Sequence, residues 1–461
     1  MAASRKPLPG KAPADAVGDA LARHVFSGAR LVLALSGGLD SVVLLHVLAS
    51  LRGRHRFALA AVHVHHGLSP HASDWADFCE RLCAAHALDL QVERVHIAGD
   101  DPAGTEAAAR RERHRVFARL DADFVLTAHH LDDQAETVLL QLLRGAGPKG
   151  LAAMPQLRRP AGWRAAQLRP LLDVSRRAIR AHAQRHGLAW VEDESNLDLR
   201  YRRNALRRDI MPRLAAHFPG SAPTLARAAA LQAEAAGLLD DLAALDAQGA
   251  VRGDRLDCAA LAALSAPRAR NLLRHFIEGR GCPLPSARVL DEARLQLVDA
   301  RHDARVRVNL KAAELWRFRG HAYVVSPAPA PAPAVYWHGE QSLWVPGAGC
   351  RVEFRPTTGH GLKRGLLTSG TVTLDVRRGG ERLRLHPGGP HRSLKNLLQE
   401  AAVPPWQRAR LPLLYQDGQL VWAAGIGFDP AFGAAPGEAG VMPHVVSQAA
   451  AQDSGGCGVL S

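Results

Sequence analysis

The chain has 461 residues, of which 47% are hydrophobic and 22% charged, values that are ordinary for globular proteins and that allow two or three domains. No apolar run reaches the roughly 18 residues of a membrane span, and the first 26 residues lack the apolar core of a signal peptide. We therefore expect a cytoplasmic protein with no membrane partner. Cys79 and Cys83 lie four apart in an apolar helical pattern, which favours buried thiols over metal ligands.

The net charge of +14 is concentrated in two stretches of the chain. Residues 158–213 hold 14 arginines and 6 acids, and residues 351–410 hold 12 lysines and arginines and 4 acids. Two basic stretches separated by near-neutral sequence fit a long polyanion that touches the protein in two places, and RNA is the obvious candidate. The alternative is a compositional bias toward arginine, which would decorate any surface.

The first strong structural signal is a strand, a turn of small residues and a helix. Residues 31–35 predict a buried strand and residues 42–51 a buried helix. The turn between them can bring backbone N–H groups and a helix N-terminus to an anion, most often phosphate. An ordinary strand-to-helix connection is the alternative. The chain lacks a Gly-Lys pair followed by a hydroxyl residue, so this turn is not a Walker A loop.

Strands and helices continue to alternate as far as residue 128. Patterns typical of strands occur at residues 57–64, 90–95 and 123–128, and helical patterns at residues 73–88 and 105–120. This alternation predicts an α/β fold with a doubly wound parallel sheet. Ligands of such sheets bind at the carboxyl ends of the strands, which is where the first turn lies.

Histidines cluster at the end of the second predicted strand, at positions 63, 65, 66 and 71. A metal site is one interpretation, but no cysteine or carboxylate lies at zinc spacing. The favoured interpretation places His65 beside a bound nucleotide as a substrate-binding residue.

A second polar group opens the helix that we predict from residue 131 to residue 144. Asp133 and Glu136 are three apart, so they share one face at the sheet edge where a phosphate ligand would lie. Acids in a first helical turn often only stabilise the helix dipole. At this edge, however, two carboxylates can also hold Mg²⁺, or bind an ammonium group and take its proton.

The turn, Ser-Gly-Gly-x-Asp-Ser, resembles the pyrophosphate-binding loop of the ATP pyrophosphatase (PP-loop) superfamily. Enzymes of that superfamily split ATP between the α and β phosphates. The resemblance implies that Asp40 faces a Mg²⁺ ion and acts in catalysis. It also implies that the loop binds the β and γ phosphates through Ser36, Gly37, Gly38, Leu39, Asp40 and Ser41.

Four motifs in order make the resemblance more specific. They are Ser-Gly-Gly-x-Asp-Ser from residue 36, His-His-x-Asp-Asp-x-x-Glu-Thr from 129, Arg-Gly-x-Gly-x-x-Gly-Leu from 144 and Asp-x-Ser-Asn…Arg-Asn-x-x-Arg from 193 to 207. Over residues 34–214 the sequence is similar to the tRNA(Ile)-lysidine synthetase family. Glu194 and Leu206 fill slots where that family often has Pro and Ile, and neither slot carries the expected chemistry.

The resemblance implies a ligase that uses ATP and Mg²⁺ to join free L-lysine to the wobble cytidine of tRNA(Ile) with a CAU anticodon. Asp133 is the candidate to accept the amine proton, and Glu136 the candidate to hold the ammonium group. Arg203 and Arg207, four apart, would clamp phosphate or the leaving AMP, although contact with the RNA backbone is an equally simple role. Candidate substrate-binding residues nearby are His130 and Asn204.

The domain organisation follows from composition and from the same resemblance. We expect a PP-loop catalytic domain over residues 1–217 and a helical tRNA-binding domain over 218–325. A Pro/Ala linker follows at 326–334. A small, basic α+β tRNA-binding domain would then cover 335–448, with a flexible tail at 449–461. Candidate tRNA contacts in the basic domain are Arg378, Arg382, Lys395 and Arg408.

Two other functions compete with this interpretation. A tRNA thiolase of the same superfamily would adenylate the same carbonyl and deliver sulfur, but neither Cys79 nor Cys83 falls in a loop expected near ATP. A non-catalytic RNA-binding protein with a decayed ATP site would have lost part of the loop or of the acidic set. Both are complete in this sequence.

Overall fold

A computed structural model describes most of the chain, with the side chains of Glu106 and Leu366 excepted. The described residues are 11–97, 101, 104–192, 194, 202–300, 306–327, 330 and 332–446. The expected tail and the Asp193, Ser195 and Asn196 positions of the fourth motif lie outside them. The contacts divide the chain into two compact units, residues 1–239 and 240–461.

A six-stranded sheet forms the centre of the first unit. Its strands are β1 (Arg30–Ala34), β2 (Ala58–His65), β3 (Leu90–Arg94), β4 (Phe124–Leu126), β5 (Leu157–Arg158) and β6 (Ala166–Leu168). The order is β3-β2-β1-β4-β6-β5, and only the β5–β6 pair is antiparallel. The predicted doubly wound parallel sheet is confirmed. The sequence did not predict β5 and β6, because strands this short show no recognisable alternation.

Helices surround this sheet and continue beyond it. They are α1 (Pro13–His24), α2 (Leu39–His55), α3 (Ala72–Ala85), α4 (Thr105–Arg119), α5 (Leu131–Leu142), α6 (Pro148–Leu151), α7 (Arg176–Arg185), α8 (Arg202–Ala205), α9 (Met211–His217) and α10 (Ser221–Ala250). A π-helical turn at residues 206–210 joins α8 to α9. The helices predicted after β1, β2, β3 and β4 are all present.

Two apolar clusters sandwich the sheet. Leu31 and Leu33 of β1 belong to the larger cluster, which α1, α2, α3 and α7 complete. Val32 and Ala34 pack instead against the cluster that contains Phe117 of α4. Because successive strand residues point to opposite faces, α4 covers the face opposite to α1, α2, α3 and α7. The strands are therefore held between two layers, with their carboxyl ends left for ligands.

The second unit begins with a region that mixes helices and strands. Its elements are β7 (Val251–Arg252), β8 (Arg255–Asp257), α11 (Cys258–Ala262), α12 (Ala266–Glu278), α13 (Ala287–Asp299), β9 (Arg307–Asn309), β10 (Glu314–Phe318) and β11 (His321–Val325). The strands form an antiparallel sheet in the order β7-β8-β11-β10-β9. The sequence predicted the helices here but not this sheet of short strands.

The C-terminal region is mostly β-structure, which confirms the small α+β fold expected for it. Its elements are β12 (Val335–Trp337), β13 (Ser342–Val345), β14 (Cys350–Thr358), β15 (Leu362–Lys363), α14 (Arg364–Thr368), β16 (Val372–Val376), β17 (Arg382–Leu383), β18 (Arg392–Ser393), α15 (Leu394–Glu400), α16 (Pro405–Arg408), β19 (Pro412–Gln416), β20 (Gln419–Ala423), β21 (Gly427–Phe428) and β22 (Ala439–Val446). The larger sheets are β12-β16-β19-β20-β21 and β13-β14-β22-β15. The predicted domain boundaries stay predictions. Among the described helices, none has the length and apolar character needed to cross a bilayer.

Candidate active site

The loop between β1 and α2 is built to approach a ligand closely. Gly37 has φ +80°, and a Cβ there would lie 2.9 Å from Val191 Cγ2, so a larger residue would strain the loop. Ser41 Oγ donates to the Gly38 carbonyl at 2.9 Å and lies 3.1 Å from Ser36 Oγ. These contacts fix a compact loop at the N-terminus of the 17-residue helix α2. Such a loop suits a phosphate group.

Cys79 lies directly beneath this loop. A Cβ on Gly37 would lie 3.2 Å from Cys79 Sγ, and the same sulfur is 3.5 Å from His63 Nδ1. Cys79 and Cys83 are both buried, as the sequence predicted. Cys79 belongs to a helix, yet it is nearer to the loop than the sequence indicated. Burial raises its pKa to about 12, with Cys83 and Glu80 adding to the effect, so the sulfur stays a thiol and is a poor nucleophile.

Asp40 connects the loop to the acidic helix α5 through a histidine. His130 is 1% exposed, and its Nε2 lies 3.6 Å from Asp40 Oδ2 and 3.5 Å from Asp133 Oδ2. Burial alone would lower the pKa of His130, but the carboxylates of Asp133 and Asp40 outweigh it and raise the pKa. Asp40 Oδ1 is buried and has no hydrogen-bond partner among the residues that the structure describes. A bare carboxylate oxygen beside a phosphate loop fits a divalent cation such as Mg²⁺.

Two acids and two arginines form the centre of the site. Arg207 donates from Nε to Glu136 Oε1 and from Nη2 to Asp133 Oδ1, each at 2.7 Å. Arg203 donates from Nε to Glu136 Oε2 and from Nη2 to Asp133 Oδ1, each at 3.0 Å. Glu136 is 2% exposed. Each arginine therefore bridges both carboxylates in a largely desolvated position, where such contacts are strong.

The local folding of two segments explains this arrangement. Asp133 and Glu136 share a face of α5 because they are three residues apart. Arg203 ends up beside Arg207 across the junction between α8 and the π-helical turn. The structure thus brings together four residues that the sequence singled out in two separate motifs. The arginines lie between 67 and 74 positions after the acids that they contact. Asn204 follows Arg203 on α8 and is half-buried.

The surrounding histidine and arginine side chains together set the charge state of Asp133. Burial would raise the pKa of this carboxyl, but His130, Arg203 and Arg207 lower the pKa to about 2. Asp133 is therefore ionised and a weak base while both guanidinium groups contact it. If the arginines moved to another anion, their part of this lowering would be lost and the pKa of Asp133 would rise.

A hydrogen-bonded chain that the sequence did not predict lies beside this network. Arg169 Nη2 donates to Gln167 Oε1 at 2.7 Å, Gln167 Nε2 donates to Thr127 Oγ1 at 3.4 Å, and Thr127 Oγ1 lies 3.0 Å from His129 Nδ1. Burial, aided by Arg169 and Arg203, lowers the pKa of His129 to about 3, so this imidazole is neutral. The His-His motif was the one available sequence signal, since Gln167 lies on an unpredicted strand.

The other histidines of the sequence cluster lie at the end of β2. Among the described residues, no three histidine, cysteine or carboxylate side chains converge as metal ligands. His65 ends β2, and both His65 Nε2 and His66 Nδ1 are buried with no hydrogen-bond partner in the described part of the chain. Burial, with Arg113 and the neighbouring histidines, lowers the pKa of His66 to about 4. The interpretation of His65 as a residue that lies beside a bound nucleotide stays a prediction.

The candidate tRNA contacts of the second unit have mixed surroundings. Arg378 is 71% exposed and pairs with Asp375 at 2.5 Å, and Arg382 Nη2 donates to the His391 carbonyl at 2.5 Å. Lys395 is exposed on α15. Arg408 is half-buried, and its Nε donates to the Val403 carbonyl at 2.7 Å, which fixes a loop. Arg378, Arg382 and Lys395 are thus exposed, whereas Arg408 is not.

Comparisons with known proteins match both units. A PP-loop domain is recognised over residues 15–214, a TilS substrate binding domain over 256–323 and a TilS substrate C-terminal domain over 372–446. The tRNA(Ile)-lysidine synthase of Azoarcus sp. (strain BH72) is 46% identical over 426 residues, which are 92% of this chain and 93% of that protein. The synthase of Nitrosomonas europaea is 41% identical, with 92% and 93% covered. That of Ralstonia nicotianae is 44% identical, with 89% and 92% covered.

This chain belongs to the tRNA(Ile)-lysidine synthase family. The resemblance inferred from four motifs is therefore confirmed, and it extends well beyond them into the second unit. The PP-loop match confirms that the first unit is of an ATP-using type. The roles of individual residues stay predictions, and the geometry above is what supports them.

Proposed function

We propose that this enzyme joins L-lysine to C2 of the wobble cytidine in tRNA(Ile) with a CAU anticodon, and that ATP is converted to AMP and pyrophosphate. The product, lysidine, changes codon reading from AUG to AUA. Family membership supports the overall reaction. The observation that carries the residue assignment is the pairing of Asp133 and Glu136 with Arg203 and Arg207.

The phosphate loop supplies the first half of the reaction. Ser36, Gly37, Gly38, Leu39 and Ser41 would hold the β and γ phosphates, and the C2 carbonyl oxygen of cytidine would attack the α phosphate. Pyrophosphate then leaves and the oxygen carries AMP. Mg²⁺ would be held by Asp40, whose Oδ1 lacks a hydrogen-bond partner among the described residues, and it would neutralise phosphate charge.

The acids of α5 supply the second half. The ε-amine of lysine attacks the adenylated C2, the C–O bond breaks, and AMP departs with the former carbonyl oxygen. Glu136 would hold the ammonium group before attack, and Asp133 would accept the proton that the amine loses. Asp133 is a weak base while the arginines contact it, with a pKa of about 2. Departure of the arginines would raise that pKa and make Asp133 a stronger base.

Arg203 and Arg207 connect the two halves. Their guanidinium groups contact the carboxylates that lysine needs. ATP or the AMP leaving group offers phosphate oxygens as alternative partners, and arginine binds these bidentately. Transfer of the arginines to phosphate would free Asp133 and Glu136 for the cationic amine. Nucleotide binding would therefore prepare the lysine site.

Nucleoside analysis tests this function. The purified enzyme, ATP, Mg²⁺ and lysine are incubated with an unmodified CAU-anticodon tRNA(Ile) transcript. The transcript is then digested to nucleosides, whose masses are measured by mass spectrometry. We expect lysine on one anticodon cytidine and none on a transcript with that cytidine replaced by uridine. Sulfur incorporation would favour the thiolase alternative, and an unmodified transcript would contradict the proposal.

A further inference from the structure

A basic cleft lies on the face of the sheet that α4 covers, outside the residues discussed so far. Its volume is about 530 Å³, and it is bounded by α4 and by the turn that joins β5 to β6. Alanines and a glycine keep its floor open. The larger side chains around it are Arg110, Arg111, His114, Arg115 and Trp163. A cleft of this size can take one nucleotide, and its lining combines an aromatic ring with several cations.

Trp163 is held in a fixed orientation. Its ring packs nearly perpendicular to Phe117, with centroids 5.8 Å apart, and to His114, with centroids 5.4 Å apart. Trp163 is half-buried, so part of the indole lines the cleft. An immobilised, partly accessible indole is a suitable surface for a stacked base.

The cleft concentrates positive charge. Burial, together with Arg110, Arg113, Arg158 and Arg169, lowers the pKa of His114 to about 4. Burial, together with Arg158 and Arg110, also lowers the pKa of the Arg169 guanidinium to about 10, so the arginines repel one another. An anion among them would relieve this repulsion.

Two arginines of the cleft pair with acidic side chains. Arg111 pairs with Asp101, and Arg115 pairs with Glu112 at 2.6 Å. The two arginine side chains nevertheless remain 48% and 66% exposed. Because exposed ion pairs are weak, a phosphate group can take over either guanidinium.

The cleft and the candidate active site have two cationic neighbours in common. Arg113 and Arg169 act on His114 in the cleft and also on His129 beside Asp133. The same two cations therefore influence both places.

We propose that the cleft binds a nucleotide of the tRNA anticodon loop other than the one that is modified. Its base would contact Trp163, and its phosphate would lie among Arg110, Arg111 and Arg115. The identity of the RNA rests on the proposed function. Proteins recognise single-stranded RNA loops in this way, by stacking unpaired bases on aromatic rings and binding phosphates through arginine.

Equilibrium binding of the CAU-anticodon transcript at several salt concentrations tests the cleft. We expect Trp163→Ala to weaken binding about tenfold and Trp163→Phe to stay within about threefold of the native enzyme, because a ring remains. Arg111→Gln and Arg115→Gln should each lower the slope of log K against log salt by about 0.7 to 0.9. Arg81→Gln, on the exposed side of α3 and the opposite face of the sheet, is the matched control and should change neither quantity.

Crosslinking identifies the nucleotide. A photoreactive phenylalanine analogue at Ala161, an exposed residue of the cleft, should crosslink to the anticodon loop. Crosslinks confined to other parts of the tRNA would overturn the proposal, as would arginine variants that keep the native salt slope. If the enzyme forms no lysidine while these variants still weaken tRNA binding, the proposed function fails and the cleft assignment stands. If the enzyme forms lysidine and these variants bind the tRNA as tightly as the native enzyme, the proposed function stands and the cleft assignment fails.

Discussion

The two basic stretches of the chain carry the same net charge but use it differently. In the first unit, Arg203 and Arg207 each bridge two buried carboxylates. In the second unit, Arg378 is mostly exposed and pairs with one acid, while Arg382 contacts a backbone carbonyl. Composition alone makes both stretches look like RNA-binding surfaces. The arginines of the first unit share two buried carboxylates, an arrangement suited to catalysis. Those of the second unit are exposed, an arrangement suited to binding RNA.

The largest expected effect comes from changing a buried carboxylate of the first unit. Asp133→Asn removes the candidate base while preserving its shape, and lysine transfer should fall about 10²- to 10⁴-fold. ATP binding should survive, because the phosphate loop is untouched. The matched variant Arg382→Gln in the second unit should raise the KM for tRNA and leave kcat near the native value. Steady-state kinetics with each substrate varied measures both, and a native rate for Asp133→Asn would remove it from the mechanism.

Stability gives the next contrast. Glu136→Gln leaves two guanidinium groups undercompensated in a largely desolvated position and should lower the free energy of unfolding by about 3 kcal/mol. Glu400→Gln breaks a solvent-exposed pair with Arg392 on the second unit and should have no measurable effect. Urea denaturation followed by circular dichroism compares the two variants. Equal losses would show that burial does not distinguish these pairs.

Buried histidines make the stability of the first unit depend on pH. His46 Nδ1 and His182 Nε2 lie 3.2 Å apart in the first unit. Burial, with the neighbouring His186, lowers the pKa of both, that of His182 to about 4. The unfolded chain then binds more protons between its histidine pKa of about 6.5 and pH 4, so stability is full above pH 6.5 and is lost as pH falls through this window. Thermal melts across the window should show a smaller decrease for His182→Gln.

The smallest expected effect concerns the exposed charge of the second unit. Lys395→Gln should lower the salt slope of tRNA binding by about one and leave ATP binding unchanged, because a surface lysine contacts phosphate without fixing the fold. Arg408→Gln should also weaken tRNA binding, but through the loop that its side chain holds. Protease sensitivity of that loop distinguishes the two causes.

The sequence predicted the fold and site where signals were local. Alternating strands and helices gave the parallel sheet, and helical spacing placed Asp133 with Glu136 and Arg203 with Arg207. What it could not predict depends on tertiary contact. The pairing of the acids with the arginines joins segments about 70 residues apart. Cys79 reaches the loop only because α3 packs beneath it.

Short strands were the main obstacle to predicting the fold. β5 and β6 are two and three residues long, so the sequence did not predict where Gln167 lies. The series of hydrogen bonds from Arg169 to His129 therefore had only the His-His motif as a sequence signal. For the same reason the sequence did not predict the β7-β8-β11-β10-β9 sheet of the second unit, whose strands are two to five residues long. Its helices, with longer periodic patterns, were predicted.

Lysine affinity with and without nucleotide tests the central claim most directly. Isothermal titration measures lysine binding to the enzyme alone and to the enzyme saturated with Mg²⁺ and an ATP analogue that cannot be split between the α and β phosphates. If phosphate draws Arg203 and Arg207 away from Asp133 and Glu136, the analogue should tighten lysine binding at least tenfold, and Glu136→Gln should bind lysine poorly in both states. Lysine binding that is equal or weaker in the presence of the analogue would contradict the account.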